Sequence, residues 1–491
     1  MNKNINQPNF SNESNTSPDT NSNQVKNPKN KKLGLVIAGV IVLALTLGAG
    51  TYMFMHSDEP KKTTKTTETN KVSADGLVDG DPLECVPRGH DNYRTNKTLA
   101  VDPNDANTVY VGVEYKGVYK STDGGETWQQ SDKGIRGYPM QADKTKKCIQ
   151  ELGRTVIDPK DSNHLLISRV ESPGDLNTKF SENAGVWESK DAGATWSQLI
   201  KEGMNASGSM ALAFDPKDPQ IIYHGTNNMQ PSFTGENGKK MDKYYNKDGI
   251  LYQTKNGGQS WQELPTGAEP GFRAVNVAVD SADSNKLWLF AFSASEQGGM
   301  QSDDKQKSVL TSTDGGKTWA SLASKFPTGY KTVGDGLLSP NNGQYAFAIT
   351  QTQQGNPKSF VTTDGGTSWS ESSMYVEVGE YDPNDLSGKR MLSYAPYGST
   401  PMIAESMDGG KTWRQLGKVP AEVDGQENGV RISGFAFSLS DKNTIYMNGS
   451  NGHVWKSNDD GKTWKVVLTL DKIGGANKNA QGSTKSSEQD Q

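Results

Sequence analysis

Residues 121–128, Ser-Thr-Asp-Gly-Gly-Glu-Thr-Trp, set a carboxylate between hydroxyls, and 312–319 spell nearly the same eight letters. A carboxylate beside hydroxyls could do acid–base chemistry or hold calcium. The pattern Ser/Thr-x-Asp/Asn-x-Gly-x-Thr/Ser-Trp also fits 189–196, 254–261, 362–369, 406–413 and 457–464. Its acidic or amide positions are Asp123, Asp191, Asn256, Asp314, Asp364, Asp408 and Asp459, and seven of the ten tryptophans close the seven copies. One active site has no use for seven evenly repeated copies, so these boxes are read as structural. The second glycine of each supplies a tight turn with positive φ, and the Asp or Asn accepts backbone N–H groups inside that turn.

Chemistry must therefore come from residues that do not repeat. Arg94, Arg273 and Arg431 each stand seven or eight residues before the first turn of their repeat, and Arg154 stands four before its own. That spacing predicts guanidinium groups near the start of innermost strands, where planar bidentate donors suit a carboxylate or phosphate. Salt bridges to neighbouring carboxylates are the alternative. The five histidines and two cysteines have no metal-ligand spacing. No phosphate-binding loop, nucleophile elbow or helical metal motif is found, and no cofactor is expected.

The elements that position these residues follow from the first repeat, 97–130. An apolar run ends in Asp102-Pro103, Thr108–Val113 follows as a second strand, and Gly117–Ser121 makes a third. The box then turns the chain into a fourth beginning at Trp128. Similar layouts precede the other boxes, so each unit is a four-stranded antiparallel meander. Units of this size that cannot bury both faces alone must stack, which predicts an all-β fold: a seven-bladed β-propeller over 83–470. Loops opposite the boxes are long on blades two to four, and another long segment joins blades one and two. Together they gather Tyr138, Phe180, Phe233, Tyr244 and Tyr245 as candidate contact residues on one rim; flexible surface insertions are the alternative.

Residues 33–55 form 23 uncharged, mostly apolar residues, enough to cross a membrane as one helix. A cleaved signal peptide is the alternative, but the run is long and follows a mostly polar segment of 32 residues. Lysines 26, 29, 31 and 32 before the span favour a cytoplasmic N-terminus and an extracytoplasmic propeller in the cell membrane. Residues 1–32 and 471–491 are expected to be disordered, and 56–82 to form a stalk. The net charge of −5 gives no reason to expect nucleic acid as a partner. Cys85 and Cys148 lie beyond the span, where an oxidising compartment allows a disulfide between them; two free thiols are the alternative.

The boxes resemble the Asp-box (BNR) repeats of sialidase-like propellers, a resemblance running from about residue 95 to 467. It is specific for fold and speaks weakly to function, since the motif occurs in sialidases, xyloglucanases, sortilin and photosystem II assembly factors. The Phe/Tyr-Arg-Ile-Pro motif of sialidases is missing, and the cysteine-rich module of sortilin has no counterpart. Xyloglucanases set catalytic carboxylates across a cleft between two propellers, whereas these repeats suffice for one. The resemblance to those enzymes offers Asp132 as a weak candidate base, with no partner acid to name. The single-propeller assembly factors look closest in form. The expected function is binding of a protein or glycan partner at the cell surface, with a glycoside hydrolase or lyase as the alternative.

Overall fold

The computed structural model describes Val78–Asp79 and most of 96–473. Outside the described residues within that span are 140–145, 170–184, 201–207, 229–250, 268–271, 294–307, 327–331, 352–356, 396–400 and 421–430, with 115, 136–137, 150–151 and 450–451. Arg94, Phe180, Phe233, Tyr244, Tyr245 and Cys85 also fall outside them. Among the described residues no helix is long and apolar enough to cross a membrane; the apolar run 33–55 is not among them.

The seven meanders form a seven-bladed β-propeller. Its inner strands are Ala100–Asp102, Leu152–Asp158, Gly208–Phe214, Phe272–Val279, Thr332–Leu338, Val378–Tyr381 and Ile432–Phe437. Each blade pairs its strands antiparallel in chain order. Blades three and four also join through Asn227–Arg273 and Asn228–Phe272 pairing. The fourth strands are shorter than the sequence suggests. In blades one to five they are two residues long, as in Gln129–Gln130, while blades six and seven extend theirs to Arg414–Lys418 and Lys465–Leu468.

The second strands read as continuous apolar runs because both sides of a blade are covered. In blade two (second strand Asp161–Arg169), Leu165 and Ile167 enter a core shared with Tyr110 and Val118 of blade one. Leu166, between them, enters the core shared with Leu212 and Ile222 of blade three. Alternation along a strand thus feeds two seams at once. The ring closes the same way: Val109, Val111 and Val113 of blade one share a core with Tyr446, Val454 and Val467 of blade seven. Tyr446 donates to the Ala106 carbonyl at 2.9 Å and Trp128 Nε1 to the Val467 carbonyl at 3.1 Å.

The boxes form one face. In the first, the Ser121 hydroxyl donates to Asp123 Oδ1 at 2.8 Å and accepts the Gly125 N–H at 2.8 Å. Asp123 also accepts the Thr127 N–H and hydroxyl, at 2.9 and 2.5 Å. The turn needs two successive left-handed residues, one more than the sequence reading anticipates. Gly124 and Gly125 have φ of 73° and 92°, and the first of these slots is filled by Ala192 (55°) in blade two and Asp460 (63°) in blade seven. On the same face the first turns are stitched across blades, as where the Ser162 hydroxyl donates to Asp102 at 2.6 Å.

The segment between blades one and two builds structure of its own. Lys146–Cys148 pairs with Tyr138–Pro139 and, in parallel, with Val78–Asp79. A stretch preceding the propeller is thereby held beside its first blade.

Candidate functional site

Inner strands start on the face opposite the boxes, and there the repeats stop resembling one another. Lys97, in the turn before blade one's inner strand, donates to Asp335 Oδ1 of blade five at 2.6 Å and lies 2.5 Å from Oδ2. The Gly336 N–H also donates to Asp335 Oδ1, at 2.8 Å, and so fixes the carboxylate from its own strand. Around this pair is a cavity of about 190 Å³ at the axis of the ring. Val275 of blade four, Glu377 and Val378 of blade six, and Ile432 and Ser433 of blade seven complete its wall. A space of this size admits one sugar ring or one side chain.

Burial pushes the Lys97 ammonium below its ordinary pKa, opposed by Asp335 and helped by the positive charge of Arg154. Burial pushes the Glu380 carboxyl up, opposed by Lys97 and Arg154 and reinforced by Asp335. Glu377 is likewise pushed up by burial and pulled back by Arg431. Desolvation therefore works against the charged forms of Lys97, Glu377 and Glu380.

The described arginines differ in their surroundings. Arg154 acts electrostatically on both Lys97 and Glu380, and its enclosed Nε–H has no hydrogen-bond acceptor among the described residues. Arg431 is exposed and pairs with Glu377 at 3.3 Å, the salt-bridge arrangement that the sequence left open. Arg273 lies on the inner strand of blade four, its backbone opposite Asn227 and Phe292. Asp132 is turned into the protein, with Gln130 Nε2 donating to its Oδ2 at 3.0 Å. A Cβ on Gly117 would stand 1.9 Å from that oxygen, so the carboxylate is packed against a backbone turn.

Sequence reasoning missed Lys97, Asp335, Glu377 and Glu380. A signal existed: each is a charged residue within a few positions of a first turn, in or beside a strand whose neighbours are small or apolar. What the sequence could not supply was the partnership of two residues 238 apart. Among the described residues no group of histidine, cysteine and carboxylate side chains could hold a metal ion.

Comparison with known proteins agrees with this architecture. Residues 246–480 match the BNR repeat-like domain model and 119–130 the BNR/Asp-box repeat model. The Xyloglucanase Xgh74A of Acetivibrio thermocellus is 27% identical over 230 residues, covering 40% of this chain and 26% of the relative. The chain thus spans about a quarter of that relative's length. The crystal structure of a GH74 enzyme from Niastella koreensis superposes with a TM-score of 0.54 at 14% identity, covering 77% of this chain and 55% of that one. A structure of YCF48 bound to a D1 peptide overlaps with a TM-score of 0.41 at 17% identity, over 66% of this chain and 82% of that one.

Proposed function

We propose that this chain is a membrane-anchored, extracytoplasmic propeller that binds a protein or glycan partner at the mouth of its central channel. The observation that carries the reading is the half-buried Arg154, whose enclosed Nε–H lacks an acceptor among the described residues and whose charge acts on Lys97 and Glu380. A buried donor left unmet is costly in a free protein, and a ligand oxygen would meet it. The apolar run 33–55 supports the anchor and the lysines before it support the orientation.

A glycoside hydrolase is the second reading. The xyloglucanase names of its relatives favour it, as do Glu377 and Glu380, two acids held above the usual carboxylate range. One experiment separates the two. The chain is incubated with cell-wall and plant polysaccharides, xyloglucan among them, and both retention and new reducing ends are measured. Retention without product, lost in Arg154→Ala, supports the binding function. New reducing ends abolished by Glu380→Gln or Asp132→Asn would establish the hydrolase. For a protein partner, a photo-cross-linker placed at Ser433 should capture it from intact membranes, and Arg154→Ala should prevent the capture.

We also propose a Cys85–Cys148 disulfide that ties the segment before the propeller to the edge of blade one. The parallel pairing of Val78–Asp79 with Lys146–Cys148 supports it. The bond would close a loop of about 63 residues, for which chain entropy gives roughly 4 kcal/mol. Peptide mapping without reductant should find the linked pair, and two alkylatable thiols in protein from its native compartment would exclude it.

A further inference from the structure

Two blades carry the same side-chain clamp with different cations at its centre. In blade six, Arg390 opens the second strand (Met391–Ala395) just after the first turn. Its Nη1 donates to Asp382 Oδ2 at 2.5 Å and its Nε to Glu405 Oε1 at 2.8 Å. Asp382 ends the inner strand's run into the turn, and Glu405 stands on the third strand one residue before the box. Blade two repeats this placement. Asp158 closes the inner strand, Glu188 stands one residue before its box, and between them lies His164. Its Nδ1 is 2.9 Å from Asp158 Oδ2 and its Nε2 is 2.9 Å from Glu188 Oε1, all three side chains buried.

An arginine keeps its charge at every accessible pH; an imidazole does not. Protonated, His164 has two N–H donors for two carboxylates. Neutral, it has one, and the other carboxylate then faces a ring lone pair in a buried site. We propose that the His164 clamp is a pH-sensitive fastening of blade two, closed when the imidazole is protonated and released when it is neutral, whereas the Arg390 clamp of blade six stays shut throughout.

The surroundings agree. Burial alone would pull the His164 pKa below its ordinary 6.5, but the hydrogen bonds and charges of Glu188 and Asp158 outweigh it and raise the value. Burial raises Glu188, and His164 and Lys190 together bring it below the usual range, so the acid is ionised while the histidine is charged. Lys190, 3.3 Å from Glu188 on the solvent side, is a further cation near the clamp. From blade three the face presented to the ring is the uncharged edge of Phe214, with centroids 5.1 Å apart. A raised histidine pKa stabilises the fold fully below the unfolded value, and that contribution is lost as pH rises through the folded one. The release therefore lies above pH 6.5, on the alkaline side. The strand that ends at Asp158 is the one that carries Arg154 to the channel mouth.

The test uses the full chain with histidine labelled at Cε1, His164→Gln assigning the resonance. The His164 signal is expected to titrate above the free-imidazole value. Melting temperature of the wild type should fall between about pH 6 and about pH 9 by several degrees more than that of His164→Arg, which installs the cation of blade six. His164→Gln, with one amide donor group and no charge, should sit at the lower level at every pH. A His164 resonance that does not titrate above pH 6.5, or melting curves of wild type and His164→Arg that fall in parallel, would overturn the proposal. The wild-type titration decides the matter even if the arginine variant does not fold.

Discussion

The box face and the channel mouth are opposite ends of the same strands, built on contrary rules. On the box face each Asp or Asn is saturated. Asp314 accepts from Ser312 and from the N–H and hydroxyl of Thr318, and burial has little part in holding its pKa at about 2. At the mouth burial leads the shifts of Lys97, Glu377 and Glu380, the charges come from different blades, and Arg154 keeps a donor unmet among the described residues. The boxes repeat one hydrogen-bonding scheme in all seven blades, whereas the charges at the mouth occur once each.

The largest effect is expected at Arg390. Its removal would leave the buried Asp382 without a cation and Glu405 with only the exposed Arg414, and Arg390→Ala should cost about 3–5 kcal/mol in chemical denaturation. A loss near zero would mean that the box face tolerates unpaired buried charge. Gly316→Val is expected to cost about 1–3 kcal/mol, because a β-branched residue is forced to positive φ. A Cβ there would also lie 2.8 Å from Leu264 of the preceding blade, so the seam must shift as well. An unchanged melting curve would remove Gly316 from its role in the turn.

At the mouth the expectation reverses. Arg154→Ala should shift stability by no more than about 0.5 kcal/mol while abolishing partner retention. Lost stability with retained binding would make Arg154 a structural residue after all. The subtlest distinction is in pH. Box carboxylates such as Asp123 have depressed pKa values, so their stabilisation is present above the ordinary 3.8 and is lost as pH falls towards about 2. Glu377 and Glu380 have raised values, so their contribution is present at low pH and is lost as pH rises through the folded values. Comparing Asp123→Asn with Glu380→Gln by melting across pH should flatten opposite limbs of the profile. Flattening of the same limb by both would refute the contrast.

The fold was legible because its determinants are local. A box needs eight consecutive residues, and a first turn needs Asp102 with the N–H of Asn104 two positions on. Seven copies then left little choice of architecture. Box geometry was read incompletely, since Ala192 and Asp460 conceal a second left-handed position that glycine fills elsewhere. The mouth was largely illegible. Which inner strands face one another across the axis depends on ring closure, and no spacing along the chain reports that Lys97 will meet Asp335. The arginines were found by position within their repeats, but Arg431 and Arg154 occupy that position to different ends. Such differences arise from the neighbouring blade, which sequence order alone does not describe.

Each blade is one unbroken stretch of chain, and blades seven and one meet through side chains, with Leu99 and Leu470 in the same core. The circle accordingly has a clasp and no weld. Any connection between blades could serve as the starting point of the polypeptide, and joining the present ends while cutting between blades four and five should yield the same object. Pulled from its two ends, the ring would part first at the clasp and surrender its blades singly, as beads slip from an opened bracelet.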